Sequence, residues 1–289
     1  MSPTSCVSRF APSPTGRLHL GHALSAIRAH DLARAAPGGR FLLRIEDIDG
    51  TRSREDHVAA IAQDLAWLGL RWDGAVVRQS ARLPLYAAAL DRLKAMGLVY
   101  PCFCTRAEIA ASAAAPHGDA GPAYPGTCRH LSPAGRAARA HLPHCWRLDM
   151  TAALAATPGP LVWHDAHAGT VTAAPAAQGD VVIARKDAPT SYHLAVTVDD
   201  AAQGVTDVVR GRDLFAATHV HRLLQALLDL PSPQYHHHPL LAGPDGTRLA
   251  KRNGAPTIAG LRDAGADPRA LADSLRAGRL PIGYGVIQA

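Results

Sequence analysis

A fourteen-residue stretch near the N-terminus, Arg9 to His22, joins a strand end, a Pro/Gly-rich loop and a helix start. It reads RFAPSPTGRLHLGH and places His19 and His22 three residues apart where the helix begins. A helix start gathers backbone N–H groups without intrahelical partners at the positive end of the macrodipole, which suits it to phosphate. Imidazoles there add donors that can follow charge developing on a nucleotide phosphate. The stretch therefore predicts a nucleotide site built from a strand, a loop and a helix N-terminus.

The elements around this stretch alternate between strand and helix. Apolar runs predict strands over 6–10 and 41–46, with a helix from about 21 to 36 between them. A second helix ends near Gly69, and Ser53 with Asp56 resembles a capping pair at its start. This order favours a parallel α/β sheet of the doubly wound, nucleotide-binding type.

A change of composition from about residue 83 to 189 indicates an insertion between two halves of that fold. It contains a helix over 86–96, a cysteine segment, an Ala/Gly/Pro-rich stretch over 110–125 and irregular short strands. The later elements expected from the sequence are strands over 180–184, 193–198 and 206–209, a helix over 213–230, a Gly-rich loop over 240–256, and helices over 258–264 and 268–277. The predicted domains are a first Rossmann half over 1–85, the insertion over 86–189, a second Rossmann half over 190–230, and a basic loop with C-terminal helices over 231–289.

Composition limits the class of protein. The chain has 289 residues, 47% of them apolar, so it can bury a sizeable core. Its net charge of +6 is compatible with a polyanionic partner. No apolar run has the length of a membrane span, the first nine residues lack a signal-peptide core, and five cysteines do not suggest a disulfide framework. We therefore expect a cytoplasmic protein.

The Arg9–His22 stretch resembles the HIGH signature of class I aminoacyl-tRNA synthetases, most closely that of the glutamyl branch. That pattern is approximately RFAPSPTG-x-LHIGH, and this chain differs at one fixed position, with Leu20 where isoleucine is usual. The resemblance implies a class I synthetase fold, an ATP site that uses Mg²⁺, and catalytic roles for His19 and His22. It implies that the ATP-binding residues of this stretch are Pro12, Thr15, Gly16, His19, Gly21 and His22.

A second phosphate element is the basic run Arg248–Arg252, inside the Gly-rich loop. Such a loop can close over a triphosphate and neutralise the departing pyrophosphate. It resembles the KMSKS loop of the same family, with Arg248 in place of the first lysine and Ala250 in place of serine. The family's second lysine is present as Lys251, which is expected to be catalytic. Arg248, Leu249 and Lys251 complete the expected ATP-binding set.

A third set of residues matches the amino-acid pocket of the glutamyl branch. Glu46 lies in LRIED, Arg210 in VRGRDL and Tyr192 in SYHLA, each similar to a family motif. Glutamate carries two carboxylates and one ammonium, so its site needs cations and an acceptor. Arg9 and Arg210 against Glu46 leave one net positive charge, and an uncharged glutamine would leave it unpaired at a cost on the order of several kcal/mol. The resemblance implies glutamate binding by Arg9, Ala11, Ser13, Glu46, Tyr192 and Arg210.

The insertion carries a candidate zinc site. Cys102, Cys104 and Cys128 supply three thiolates, and from chemistry alone the fourth ligand remains open among His117, His130, His144 and Cys145. The spacing from Tyr124 to Cys128 resembles the glutamyl-Q tRNA(Asp) synthetases, short paralogues of the glutamyl branch with a Cys₃Tyr zinc site. On that resemblance the ligands are Cys102, Cys104, Tyr124 and Cys128, with His130 as the alternative fourth ligand. One structural zinc ion is expected.

Three consecutive histidines over 236–238 are typical of a metal-binding tract. The glutamyl family has a Tyr-x-His-x-Pro-Leu segment in the strand before its KMSKS loop. We therefore favour a strand for this segment over a metal site.

The resemblance implies activation of L-glutamate with ATP to glutamyl-adenylate without tRNA, followed by transfer of the acyl group. About 35 residues follow the basic loop, too few for the anticodon-binding domain of a full glutamyl-tRNA synthetase. The short paralogues attach glutamate to the queuosine base of tRNA(Asp), which is the expected partner and acceptor here. The alternatives are a minimal glutamyl-tRNA synthetase that charges a tRNA 3′ end, and a silent paralogue that binds RNA or amino acid. We expect a monomer.

Overall fold

The protein begins with the strand–loop–helix unit expected from its sequence. The computed structural model describes residues 5–105, 107–109, 124–243, 249, 256–280 and 284–287. A buried strand over Val7–Phe10 leads through the loop to a helix over Leu20–Ala35, whose N-cap is His19. Ala23, Ala26 and Ala29 are fully buried in that helix, and their small side chains allow it to pack closely on the sheet.

The strands in chain order are β1 (Val7–Phe10), β2 (Arg40–Ile45), β3 (Val77–Arg78), β4 (Val99–Cys102), β5 (Cys145–Leu148), β6 (Val162–Asp165), β7 (Gly169–Thr172), β8 (Val182–Ala184), β9 (Asp207–Gly211), β10 (Gln234–His238), β11 (Leu240–Ala242) and β12 (Gly285–Ile287). The helices are α1 (Leu20–Ala35), α2 (Glu55–Trp67), α3 (Leu83–Ala95), α4 (Pro133–Ala137), α5 (Met150–Ala155), α6 (Tyr192–Ala202), α7 (Phe215–Leu227), α8 (Ile258–Asp263) and α9 (Pro268–Arg276). Short 3₁₀ turns cover Gln79–Arg82, Pro175–Gln178 and Arg212–Leu214.

The main sheet of the described residues has the order β3-β2-β1-β9-β10-β6-β7. Its strands pair in parallel except for β7, which forms an antiparallel hairpin with β6 at one edge. The chain therefore forms an α/β fold with a mostly parallel sheet. The carboxyl ends of β1, β9 and β10 meet at one edge, where open α/β sheets place their ligands.

The strands of the segment between β3 and β9 belong to two different sheets. Strands β4, β5 and β8 form a separate antiparallel sheet next to the cysteine cluster. Strands β6 and β7 instead join the main sheet through β10. Part of the sequence expected as an insertion is therefore paired with the main sheet.

Three local expectations were wrong. Residues 193–198, expected as a strand, lie in α6, where the Ser191 hydroxyl caps the helix by accepting the backbone N–H of Leu194 at 3.4 Å. Residues on more than one face of that helix are buried, so its apolar residues do not repeat with a helical period. The sequence pattern therefore resembles that of a buried strand. Ser53 and Asp56 do not cap α2, whose N-cap is Arg54 without a side-chain hydrogen bond. The loop expected from residue 240 begins as β11, which pairs with β12.

One apolar cluster packs α1, α2 and α9 against β1 and β2, and a smaller one joins buried residues of β1, β2, β6, β9 and β10. A separate cluster contains residues of α3, α6 and α7. Of the helices that the structure describes, none is both long and apolar enough to cross a membrane.

Candidate active site

A cleft of about 490 Å³ opens at the carboxyl ends of β1, β9 and β10. Its lining includes most of the residues expected to bind glutamate or ATP: Arg9, Ala11, Pro12, Ser13, His19, Gly21, His22, Glu46, Tyr192, Arg210 and Leu249. Thr15 and Gly16 precede α1 but are not among its lining residues. Arg248 and Lys251, with the rest of the basic run apart from Leu249, lie outside the described residues. The cleft thus brings the predicted amino-acid and nucleotide residues into one space.

The two histidines at the start of α1 hold each other in position. The Nδ1 atom of His19 accepts the backbone N–H of Gly21 at 3.1 Å, and Nδ1 of His22 accepts the backbone N–H of His19 at 3.1 Å. The ring centroids are 3.8 Å apart. Because each Nδ1 is an acceptor, each neutral ring carries its proton on Nε2. The capping interaction therefore fixes both rings as Nε2–H donors at the lining of the cleft.

Arg9 is already paired with a protein carboxylate. Its Nε lies 3.0 Å from Oδ1 of Asp200, and its Nη1 donates to the Val209 carbonyl at 3.2 Å. The fully buried Arg44 shares the same carboxylate, with Nη1 2.8 Å from Asp200 Oδ1, and its Nη2 lies 3.7 Å from Glu46 Oε1. The expected balance of Arg9 and Arg210 against Glu46 is therefore incomplete, because Arg44 and Asp200 contact these lining residues and add their own charges.

Glu46 stands between that ionic network and the cleft. Burial raises the pKa of its carboxyl to about 7, although Arg44 and Arg9 act in the opposite direction. The group therefore changes charge near neutral pH, and a cationic ligand group beside it would favour the ionised form.

Arg210 differs from Arg9 in having only neutral partners. The guanidinium is buried and donates from Nε to His237 Nε2 at 3.0 Å, and from Nη2 to Thr218 Oγ1 at 2.6 Å. Its Nη1 lies 3.2 Å from the Tyr192 hydroxyl and 3.3 Å from His221 Nδ1. No ion pair found among the described residues includes it. A buried charge in this setting is costly unless a ligand compensates it.

The histidines beside Arg210 are held neutral. Burial and the nearby guanidinium lower the pKa of His237 to about 4 and that of His221 well below its usual value. From the sequence, the histidines over 236–238 were favoured as part of a strand, and Asp165 was not identified as a residue near the site. Asp165 Oδ2 lies 2.7 Å from Nδ1 of His237. Only the pairing of β6 with β10 brings these two residues together.

The cysteine cluster lies at the end of β4, next to the smaller, three-stranded sheet of β4, β5 and β8. The sulfur atoms of Cys102, Cys104 and Cys128 all lie within 4.8 Å of one another, and the Cys104–Cys128 distance is 3.5 Å. Tetrahedral zinc with four thiolates at about 2.3 Å would space its sulfur atoms about 3.8 Å apart, so these residues fit a metal ion. The Tyr124 hydroxyl lies 3.6 Å from Cys104 Sγ. His130 is not part of this group of described ligand atoms, and His117 lies outside the described residues.

Comparisons with known proteins place these features in context. A family profile, tRNA synthetases class I (E and Q), catalytic domain, matches residues 5–281. The chain is 51% identical over 273 residues to a glutamyl-Q tRNA(Asp) synthetase of Rhodobacter capsulatus, covering 91% of this chain and 96% of that protein. A protein of the same name from Symbiobacterium thermophilum is 48% identical over 277 residues, covering 92% and 84%. Among solved structures, the glutamate-tRNA synthetase from Elizabethkingia anophelis matches with a TM-score of 0.79 and 26% identity, covering 94% of this chain and 61% of that one.

Proposed function

Because the chain belongs to the family of class I tRNA synthetases for glutamate and glutamine, and is a ligase of that family, we propose that it activates L-glutamate with ATP. The product would be glutamyl-adenylate, formed without tRNA. We further propose that the glutamyl group passes to the queuosine base of tRNA(Asp).

The buried Arg210 is the observation that supports glutamate as the substrate. All its hydrogen-bond partners described above are neutral, so a substrate carboxylate in the cleft can supply the missing counter-charge. Glu46 lines the same cleft and offers an acceptor for the substrate ammonium. The γ-carboxylate of glutamate is assigned to Arg210, because glutamine has a neutral amide at that position and would leave the Arg210 charge uncompensated; selection of glutamate follows from that cost.

Adenylation in this cleft needs positioning and charge stabilisation but no covalent intermediate with the protein. An α-carboxylate oxygen of glutamate attacks the α-phosphorus of Mg²⁺-ATP, the bond to the bridging oxygen breaks, and pyrophosphate leaves with that electron pair. The Nε2–H groups of His19 and His22 and the N-terminus of α1 would stabilise the charge that develops on the phosphate. Lys251 is proposed to neutralise the pyrophosphate.

Pyrophosphate exchange tests the first step. Glutamate-dependent exchange of pyrophosphate into ATP is expected without tRNA, and glutamine should support it poorly. The variants His22→Ala and Lys251→Ala should abolish exchange while their circular dichroism stays native. Absence of exchange in folded, zinc-loaded protein would instead support the silent paralogue.

The choice of acceptor is supported by the two relatives of about half identity that carry the glutamyl-Q tRNA(Asp) synthetase name. The second candidate, charging of a tRNA 3′ end, is favoured by the similarity in fold to a glutamate-tRNA synthetase. Labelled glutamate should attach to tRNA(Asp) that contains queuosine and not to the same tRNA lacking it. Equal labelling of both would contradict queuosine as the acceptor.

The remaining parts of the proposal concern cofactors and setting. Zinc is proposed at Cys102, Cys104, Tyr124 and Cys128, where it would stabilise the smaller sheet, and Mg²⁺ would enter with ATP. The protein is proposed to act as a monomer in the cytoplasm.

A further inference from the structure

Three neighbouring parallel strands each place one polar residue near their carboxyl ends. Asp165 ends β6, His237 lies in β10, and Arg210 lies in β9 directly opposite His237 in the register. The side chains of Asp165 and His237 are each 1% exposed. Of the three, only Arg210 lines the cleft. The row thus runs from the edge hairpin β6–β7 to the cleft.

The Asp165 carboxylate is held by four hydrogen bonds. Its Oδ1 accepts the backbone N–H groups of His167 and Ala168, both at 2.9 Å. Its Oδ2 accepts the backbone N–H of His237 at 3.1 Å and lies 2.7 Å from Nδ1 of the same residue. An ionised carboxylate only accepts, so Nδ1 of His237 must carry the proton.

That tautomer determines whether His237 can accept a hydrogen bond from Arg210. With the proton on Nδ1, the Nε2 atom of the neutral ring has a lone pair and accepts Nε–H of Arg210 at 3.0 Å. The opposite tautomer would direct an N–H against an N–H. The neutral imidazole also separates the Asp165 carboxylate from the guanidinium, so the protein anchors Arg210 without forming an ion pair that would compete with a ligand.

We propose that Asp165, acting through the tautomer of His237, positions Arg210 for the side-chain carboxylate of glutamate. Asp165 thereby determines the discrimination between glutamate and glutamine. This role rests on the proposed function, since it concerns the same pocket. Neither Asp165 nor His237 touches the cleft, so both are positioning residues. Asp165 is supplied by the hairpin β6–β7, which is distant in sequence from the motifs of the pocket.

The variant Asp165→Asn tests the tautomer. If its amide oxygen keeps the two loop N–H groups, its amide NH₂ faces His237 and can donate to Nδ1, which moves the ring proton to Nε2. We expect kcat/KM for glutamate in pyrophosphate exchange to fall about tenfold to a hundredfold, as for other outer-shell partners, with the KM for ATP within about twofold. The preference for glutamate over glutamine should shrink. Unchanged discrimination would contradict the proposed role.

A double-mutant cycle separates this effect from simple loss of packing. The amide end of glutamine in His237→Gln can present an oxygen where Nε2 lies but has no atom at the Nδ1 position. Asp165→Asn should therefore cost much less in the His237→Gln background than in the wild type. Equal costs in both backgrounds would show that Asp165 acts structurally. The matched control is His236→Gln, at the preceding residue of β10, since His236 is paired with Asp207 at 2.8 Å and not with Arg210.

Nitrogen NMR of the histidine rings gives a readout independent of activity. In the wild type, ¹⁵N shifts should show Nδ1 of His237 protonated and Nε2 unprotonated, and Asp165→Asn should reverse them. A wild-type ring with its proton on Nε2 would overturn the inference even if the variant fails to fold. The exchange assay distinguishes failure of the proposed function from failure of this inference. No pyrophosphate exchange by the wild type would contradict the proposed function. Exchange by the wild type with the same glutamate preference in Asp165→Asn would contradict only the positioning role of Asp165.

Discussion

Arg210 and Arg9 are both buried arginines at the cleft, but they differ in how their charge is compensated. Arg9 pairs with Asp200, whereas Arg210 hydrogen-bonds only to neutral groups. Their sequence motifs do not separate these roles, since each arginine matches the family equally well. The difference depends on partners that other strands and helices supply.

Replacing Arg210 with lysine should weaken glutamate binding although the charge is kept. A lysine ammonium cannot bond His237, Thr218 and Tyr192 simultaneously in the planar arrangement of the guanidinium. We expect the KM for glutamate to rise about tenfold to a hundredfold, since a lost charge-assisted hydrogen bond is worth about 1.5–3 kcal/mol. The KM for ATP in the same exchange assay should change little. A parallel rise in both constants would point to general damage of the cleft.

Glu46 should make glutamate binding depend on pH near neutrality. Its pKa of about 7 in the folded protein means that it gains a proton as the pH falls through 7. The protonated group is a poorer acceptor for the substrate ammonium, so the KM for glutamate should rise on acidification from pH 8 to 6. Glu46→Gln should have a high KM without this pH dependence. A wild-type KM that is flat across this range would contradict the role of Glu46.

The same carboxyl should affect stability in the opposite direction. Its pKa is raised from 4.5 to about 7, so the folded state binds more protons than the unfolded state between these values. Its contribution to the free energy of unfolding is therefore fully present below about pH 4.5 and is lost as the pH rises towards 7. Urea denaturation of wild type and Glu46→Gln should show a steeper decline with pH in the wild type.

At the scale of single elements, the N-terminus of α1 depends on a glycine. A Cβ atom at Gly21 would lie 3.0 Å from Cε1 and 3.2 Å from Nδ1 of His19, so an alanine there must shift the imidazole by a few tenths of an ångström. Alanine favours helix more than glycine does, so the helix itself should not be weakened. Gly21→Ala should therefore keep or raise the melting temperature while lowering pyrophosphate exchange about tenfold or more, in line with loss of one transition-state donor. Native exchange in this variant would show that the His19 position is not critical.

Helix α6 illustrates why element type is sometimes invisible in sequence. Residues 193–198 contain Val196, Thr197 and Val198, which favour strands, yet they continue a helix that Ser191 caps. The helix packs against α3, α7 and β8 and is buried on more than one side. Its hydrophobic pattern therefore follows tertiary contacts more than a helical period.

At the scale of the whole molecule, the cysteine cluster joins chain segments that the sequence separates by the stretch 105–123. A metal ion there would connect the end of β4 to residues 124–128. Tyr124→Phe should lower zinc retention about tenfold or more during dialysis against a weak chelator, measured by atomic absorption, because it removes a ligand that the geometry favours. His130→Ala is the matched control and should retain zinc. The reverse result would identify His130 as the fourth ligand.

Several features set by residues close together in the sequence were predicted correctly, whereas pairings between distant segments were not. The unit β1–loop–α1 and the parallel order of the sheet were expected because short-range patterns encode them: apolar runs, Pro/Gly breaks and helix starts. Residues 162–172 lie in the segment that was expected to be an insertion with irregular short strands, but they form the hairpin β6–β7, which pairs with β10. Strand pairing across such a distance leaves no local pattern, since the same apolar alternation fits any sheet edge.

By itself, the sequence determined the family, the strand–loop–helix unit and many of the residues that line the cleft, because contiguous motifs contain them. Tertiary structure alone decided how the charges are compensated. It pairs Arg9 with Asp200, buries Arg44 beside Glu46, and places Asp165 and His237 behind Arg210. The physical reason is that pKa values and the cost of a buried charge depend on which groups lie within a few ångströms. For the Arg9–His22 stretch, the fold supplies the anchors around Arg9, whereas the cap between His19 and His22 is local and already present in their spacing.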